Sequence, residues 1–179
     1  MSLLRRVRLK AAWGLAPVFL LVAHPTPKLI GIGAALAIIG GLLRAWASGT
    51  IRKKQVLTTG GPYAYTRNPL YLGSFFVGLG LATAGGSILL VVLFLACFAV
   101  VYGPTMRAEE RELERLFGDR FREYVAHVPI FFPQLRAYRP AEPHPTQFLL
   151  RRYFGHREYQ LALGVLVGFL LLAVKLAWV

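Results

Sequence analysis

Acid, cysteine and clustered metal ligands are what this chain is short of. Eight Asp and Glu face 21 Lys and Arg, a formal net charge of +13. Cys97 is the only cysteine and lies inside an apolar block. An intramolecular disulfide and a thiolate metal cluster are therefore excluded. His24, His127, His144 and His156 are scattered without ligand spacing, so no dedicated metal site is expected. Charge of either sign is missing between Arg67 and Arg107. Such a stretch is too long for one membrane helix and suits two.

What is present is apolar surface. The chain is 56% hydrophobic, with a mean hydropathy of +0.52. A basic, apolar chain is either a nucleic-acid binder or a membrane protein. The apolar residues come in uninterrupted blocks rather than at core periodicity, which excludes the first and leaves the lipid bilayer as a partner. At 179 residues one domain is expected.

A spanning helix needs about 20 apolar residues. Candidate blocks are Ala11–Ala23, Leu29–Ala47, two helices folded at Thr83–Ser87, and Gln160–Val179. Paired glycines in "TAGGS" mark the fold point. The expectation is an all-α integral membrane bundle of about five transmembrane helices. The first block also has the basic start and short core of a signal peptide, the alternative to a retained span. With five spans, every Lys and Arg except Lys28, Arg44 and Lys175 falls on one side. The positive-inside rule puts that side, with the N-terminus, in the cytoplasm. Arg44 and Lys175 read as snorkelling side chains. Gly31, Gly33, Gly40, Gly41, Gly78 and Gly80 read as close-packing positions.

Thr105–Val125 has the apolar periodicity of an amphipathic helix, with an end or kink at Gly118. Arg107, Arg111, Arg115 and Asp119 fall away from its apolar arc. Glu109 and Glu110 fall within about 60° of the arc's centre. They either cap a helix start against its dipole or face a cavity, where a cationic partner would offset their burial. The following "HVPIFFP", residues 127–133, is a strip able to pack back against the membrane face. "RPAEPHP", residues 139–145, reads as a linker. This divides the chain into a core, 1–140, and an extension, 141–179, with its own span.

"GPYAYTRNPLYLG", residues 61–73, is the richest polar stretch. Asn68 before Pro69 is a helix start, with Asn68 as N-cap. Arg67 at that terminus opposes the dipole and calls for an anion. Tyr63 and Tyr71 offer faces to a ring or a cation. Anion site, aromatic wall and carboxylates together suit several ligands, S-adenosylmethionine among them.

Two motifs narrow this. Gly61-Pro62-Tyr63 followed by Arg67-Asn68-Pro69-Leu70-Tyr71-Leu72-Gly73 resembles the Gly-Pro-Tyr and Arg-His-Pro-x-Tyr-x-Gly signatures of the isoprenylcysteine carboxyl methyltransferase and related phospholipid methyltransferase families. Glu109-Glu110-Arg111-Glu112-Leu113, running to Phe117-Gly118 and then Tyr124 and Val128-Pro129, resembles their second signature. The likeness covers roughly residues 29–135. It implies an integral membrane enzyme that uses S-adenosylmethionine on the cytoplasmic side, with the amphipathic helix completing the cofactor site. Gln55, Val56, Leu57, Thr58, Tyr63, Arg67, Asn68, Pro69, Leu70 and Tyr71 would hold the cofactor. Arg107, Glu109 and Glu110 would serve the reacting end. The acceptor would be lipophilic: a prenylcysteine-like carboxylate, favoured by a basic rim of Arg67, Arg107 and Arg111, or a phospholipid amine or small thiol. Asn68 stands where the family has histidine and cannot titrate near neutrality. A non-catalytic scaffold that kept the fold is therefore the other class of reading. A transporter is disfavoured, since no span is broken at mid-depth by paired charges.

Overall fold

A computed structural model describes residues 18–51, 56–140, 147–155 and 158–178. The described residues contain helices and no strand, an all-α bundle. The first expected span lies mostly outside them. Its described part, residues 18–22, is helical and is called α1. Next come α2 (Pro27–Thr50), a 3₁₀ turn (Gly61–Ala64), α3 (Pro69–Ala84) and α4 (Ile88–Phe117). The chain closes with α5 (Asp119–His127), α6 (Leu150–Gly155) and α7 (Glu158–Trp178). Among these, α2, α4 and α7 are long and apolar enough to cross a membrane. α3 has 16 residues, fewer than the roughly 20 a straight crossing takes.

Thr26 accepts from Leu29 N and Pro27 opens α2, a capped start with a pre-set φ. α2 and α3 then approach as closely as two backbones can. A Cβ on Gly33 would sit 2.3 Å from the Gly80 carbonyl oxygen, and one on Gly40 2.5 Å from that of Gly73. Small residues permit this contact between membrane helices. Gly31 and Gly41, expected to pack likewise, instead meet no other described residue within 4 Å of an added Cβ. Their 3.6-residue azimuth turns them away from α3.

The hairpin folds at Gly85–Gly86, where Gly86 has φ +69°. His24 N donates to Gly85 O at 2.7 Å, tying the approach to α2 onto this turn. Lys175 donates to Leu20 O, so it is anchored at this end rather than snorkelling free. At the other end Arg44 is no free snorkeller either. Its Nε and Nη2 donate to the two Glu158 carboxylate oxygens, each at 2.9 Å, and Nη1 donates to Leu70 O at 3.2 Å. A charge this deep needs such a partner. Leu149 N donates to Gly49 O, and Arg152 to Thr50 O. The extension thus lies along α2. Its expected linker falls at residues 141–146, outside the described ones.

α4 corrects one expectation. The amphipathic segment is no separate helix: α4 runs unbroken through Pro104 from the apolar hairpin to Phe117. Gly118, φ +53° and ψ −124°, ends it and starts α5. Few residues other than glycine adopt that backbone. Glu109 and Glu110 therefore lie far inside a helix, and capping a helix start is excluded as their role.

Candidate active site

The site forms where the loop before α3 meets α4 and α5, and a strap holds that loop. Residues 129–138, which include most of the apolar strip, hydrogen-bond along it. Arg67 N donates to Pro129 O, Gln134 N to Tyr65 O and Tyr138 N to Ala64 O, each at 2.9 Å. Thr66 Oγ1 donates to Phe131 O at 2.8 Å. The Phe131 ring packs on Phe75 and Phe98 of the hairpin, so the strip folds back onto the apolar helices. α5 adds Tyr124, whose hydroxyl donates to Tyr63 O at 2.6 Å.

Asn68 belongs to this strap. Its Nδ2 donates to Ile130 O at 2.9 Å, and its side chain makes no capping bond to α3. Asn68 does occupy the N-cap position, but without the expected side-chain bond: its Nδ2 donation to Ile130 O turns the amide toward the strap. α3 starts instead on the fixed φ of Pro69.

A cavity of about 460 Å³ opens between these elements, within the range of small-molecule sites. Of the residues expected to hold a cofactor, Val56, Leu57, Thr58, Tyr63, Arg67, Asn68 and Tyr71 line it; Glu109 and Glu110 line it from α4. Pro69 is buried behind the wall. Leu70 offers its carbonyl to Arg44 and Ser74. Gln55 lies outside the described residues. Arg107, grouped with the glutamates from sequence, is exposed and off the lining. Two positions along a helix is about 200° of rotation, the opposite face. The lining also includes Thr105, Ala108, Glu112, Leu113, Leu116, Phe121 and Tyr124. Positions 105, 108, 109, 112, 113 and 116 form one helical stripe, a signal present in the sequence.

The two motifs touch side chain to side chain. Tyr71 Oη donates to Glu109 Oε2 at 2.9 Å. Arg67 Nη1 lies 2.5 Å from Glu110 Oε1, off the line of a hydrogen bond. Arg67 thus finds its anion within the protein, and the conflict with the α3 dipole is answered by Glu110 rather than by a ligand. Tyr63 Oη, Arg67 Nε and Glu110 Oε1 are buried without a hydrogen-bond partner among the described residues. Burial, then Glu109, pushes the Tyr63 hydroxyl well above the usual phenol range. Burial does the same to Tyr124, against the pull of Arg67. One arginine and three glutamates leave the lining acidic. The expected basic rim is absent because Arg107 and Arg111 are not part of it. No group of three or more His, Cys, Asp or Glu is placed to hold a metal among the described residues.

A family model described as phospholipid methyltransferase matches residues 29–120, from early α2 to the start of α5. The chain belongs to the phospholipid methyltransferase family. It is an integral membrane member: the matched residues include two of the three helices able to cross a bilayer. Similar curated proteins carry different names. A cobalt-zinc-cadmium resistance protein, CzcN of Cupriavidus metallidurans, is 38% identical over 109 residues, 60% of this chain and 49% of that protein. A nickel-cobalt-cadmium resistance protein, NccN of Alcaligenes xylosoxydans xylosoxydans, is 37% identical over 109 residues, 60% of this chain and 50% of its own. Protein-S-isoprenylcysteine O-methyltransferase of Schizosaccharomyces pombe is 33% identical over 81 residues, 45% of this chain and 34% of that enzyme. The matched part of this phospholipid methyltransferase relative spans about half the length of the two resistance proteins.

Proposed function

We propose that the protein transfers a methyl group from S-adenosylmethionine to a lipophilic acceptor at the basic end of the bundle, which faces the cytoplasm. The observation that carries this is the contact of the two motifs across one cavity, Tyr71 with Glu109 and Arg67 with Glu110. The donor set suits a zwitterion bearing one further positive charge. Arg67 Nε and Tyr63 Oη are donors without a partner among the described residues. S-adenosylmethionine, when bound, supplies an electrophilic methyl on a sulfonium. The acidic face of α4 would hold its positive groups, and Arg67 with Tyr63 its carboxylate. Tyr71 and Tyr124 would wall the ring. Holding donor and acceptor in line is the main work such a site does.

The acceptor expected from sequence is a prenylcysteine-like carboxylate, methylated on oxygen without proton release. Arg67 alone of the expected basic rim remains to favour it, alongside the likeness to the S-isoprenylcysteine enzyme. The three glutamates of the lining favour a second reading, an amine headgroup methylated on nitrogen. There an N–H proton must leave, and Glu109, which accepts from Tyr71, would take it. One experiment separates these. The full chain in bilayers is incubated with methyl-labelled S-adenosylmethionine and a membrane lipid extract. Lipid label released as methanol by alkali marks an ester, and alkali-stable lipid label marks an N-methyl amine. Label in a water-soluble thiol points to the small-thiol alternative. Absence of all label, with no binding of S-adenosylhomocysteine, sinks the enzyme reading in favour of a scaffold.

A further inference from the structure

A second cavity, of about 670 Å³, lies between α2 and α7. On α2 its wall mixes the small Ala34, Gly41 and Ala45 with Ile30, Ile38 and Leu42. A Cβ on Gly41 would meet nothing within 4 Å among the described residues. α7 faces it with Leu161, Val165 and Phe169. Its charge is confined to one end, the Arg44–Glu158 pair. Where the described residues leave such a gap in a bilayer, hydrocarbon is suited to fill it, because an empty one forfeits its dispersion contacts.

The polar end borders the first cavity. Arg44 Nη1 donates to Leu70 O, next to Tyr71 of the cavity wall. Both Arg44 and Glu158 also act electrostatically on the Tyr63 hydroxyl. The bidentate pair is self-neutral, so a polar head beside it would need no net charge. Glu158 and the rest of α7 lie beyond the residues matched by the family, so one wall of this groove is supplied by the extension and the other by the matched α2.

We propose that the α2–α7 groove seats the hydrocarbon chain of the methyl acceptor, with the acceptor's polar end at Arg44–Glu158 beside the methyl-donor cavity. This rests on the methyltransferase reading.

The test uses the full chain in nanodiscs containing a phosphatidylethanolamine with a mid-chain diazirine. Three forms are compared: wild type, Gly41→Leu, which fills the groove, and Gly31→Leu, which is equally unhindered but off the lining. Photolabel should concentrate in residues 158–173 of wild type and Gly31→Leu. In Gly41→Leu it should fall about tenfold, the scale of overpacking a filled site. Methyl transfer to lipid should fall with it, while S-adenosylhomocysteine binding by calorimetry stays within about twofold. Label spread evenly over the lipid-facing helices overturns the proposal. So does unchanged labelling in Gly41→Leu, or lost labelling with transfer intact. Failure of wild type to bind S-adenosylhomocysteine overturns the methyltransferase reading and the acceptor's identity with it. The photolabel then still reports whether the groove holds a chain.

Discussion

Glu109→Gln offers the sharpest test of what the acidic wall is for. The substitution keeps the shape of the side chain and an acceptor oxygen for the Tyr71 hydroxyl, but removes one negative charge from the cavity. A cavity of about 460 Å³ is on the order of 10 Å across, so a bound cation lies roughly 5–10 Å from this wall. At an effective permittivity of about 20, opposite unit charges at that range attract by about 2–3 kcal/mol. The open mouth admits water, and screening brings the expected figure to about 1–1.5 kcal/mol. S-adenosylmethionine carries one more positive charge than S-adenosylhomocysteine. Titration calorimetry of both ligands against wild type and Glu109→Gln should therefore show a differential loss. Affinity for the sulfonium ligand should drop about tenfold and that for the thioether much less. An equal loss for both would mean that Glu109 shapes the site without serving a cation. No loss for either would refute the electrostatic reasoning and move the ligand away from α4.

Three other outcomes follow from the geometry. Asn68→Ala strips the donor from the Ile130 carbonyl and should cost about 1–3 kcal/mol, read as a lowered Tm in detergent, with Asn68→Asp no better. Gly33→Val drives a side chain into the Gly80 carbonyl and should abolish the folded bundle, whereas Gly41→Ala should leave the Tm unchanged; size-exclusion profiles and melting curves check both. Tyr63 and Tyr124 have folded hydroxyl pKa values raised by burial. Their stabilising contribution is whole below the unfolded value of about 10 and is lost as pH climbs above it. Melting temperature should accordingly be flat through neutral pH and fall above about pH 10. Absorbance near 295 nm should show these two phenols ionising only as the chain unfolds.

Much of the fold was legible because hydropathy and helical period are local. Leu29–Ala47 lies within α2, the charge-free stretch became a hairpin turning at Gly85–Gly86, and Gln160–Trp178 is part of α7. Of the nine expected residues that line the cavity, six belong to the two short motifs and three, Val56, Leu57 and Thr58, to the loop just before the first. Arg107 went astray because proximity along a helix is not proximity in azimuth. Asn68 looked like a side-chain cap because its local context before Pro69 is that of a cap. Ile130, which it bonds, lies 62 positions away, and no local rule weighs such a competitor.

By itself, then, the sequence determined the apolar helices, their basic end and the two polar motifs, since each depends on neighbours within a turn or a span. Only the tertiary structure decided that Arg67 is answered by Glu110, that the cavity wall is acidic, and that Arg44 finds Glu158 at a separation of 114 residues. Those outcomes turn on how one helix is rotated against another. That rotation is set by backbones meeting at Gly33, Gly40, Gly73 and Gly80 and by the strap across the loop, contacts between segments far apart in the chain.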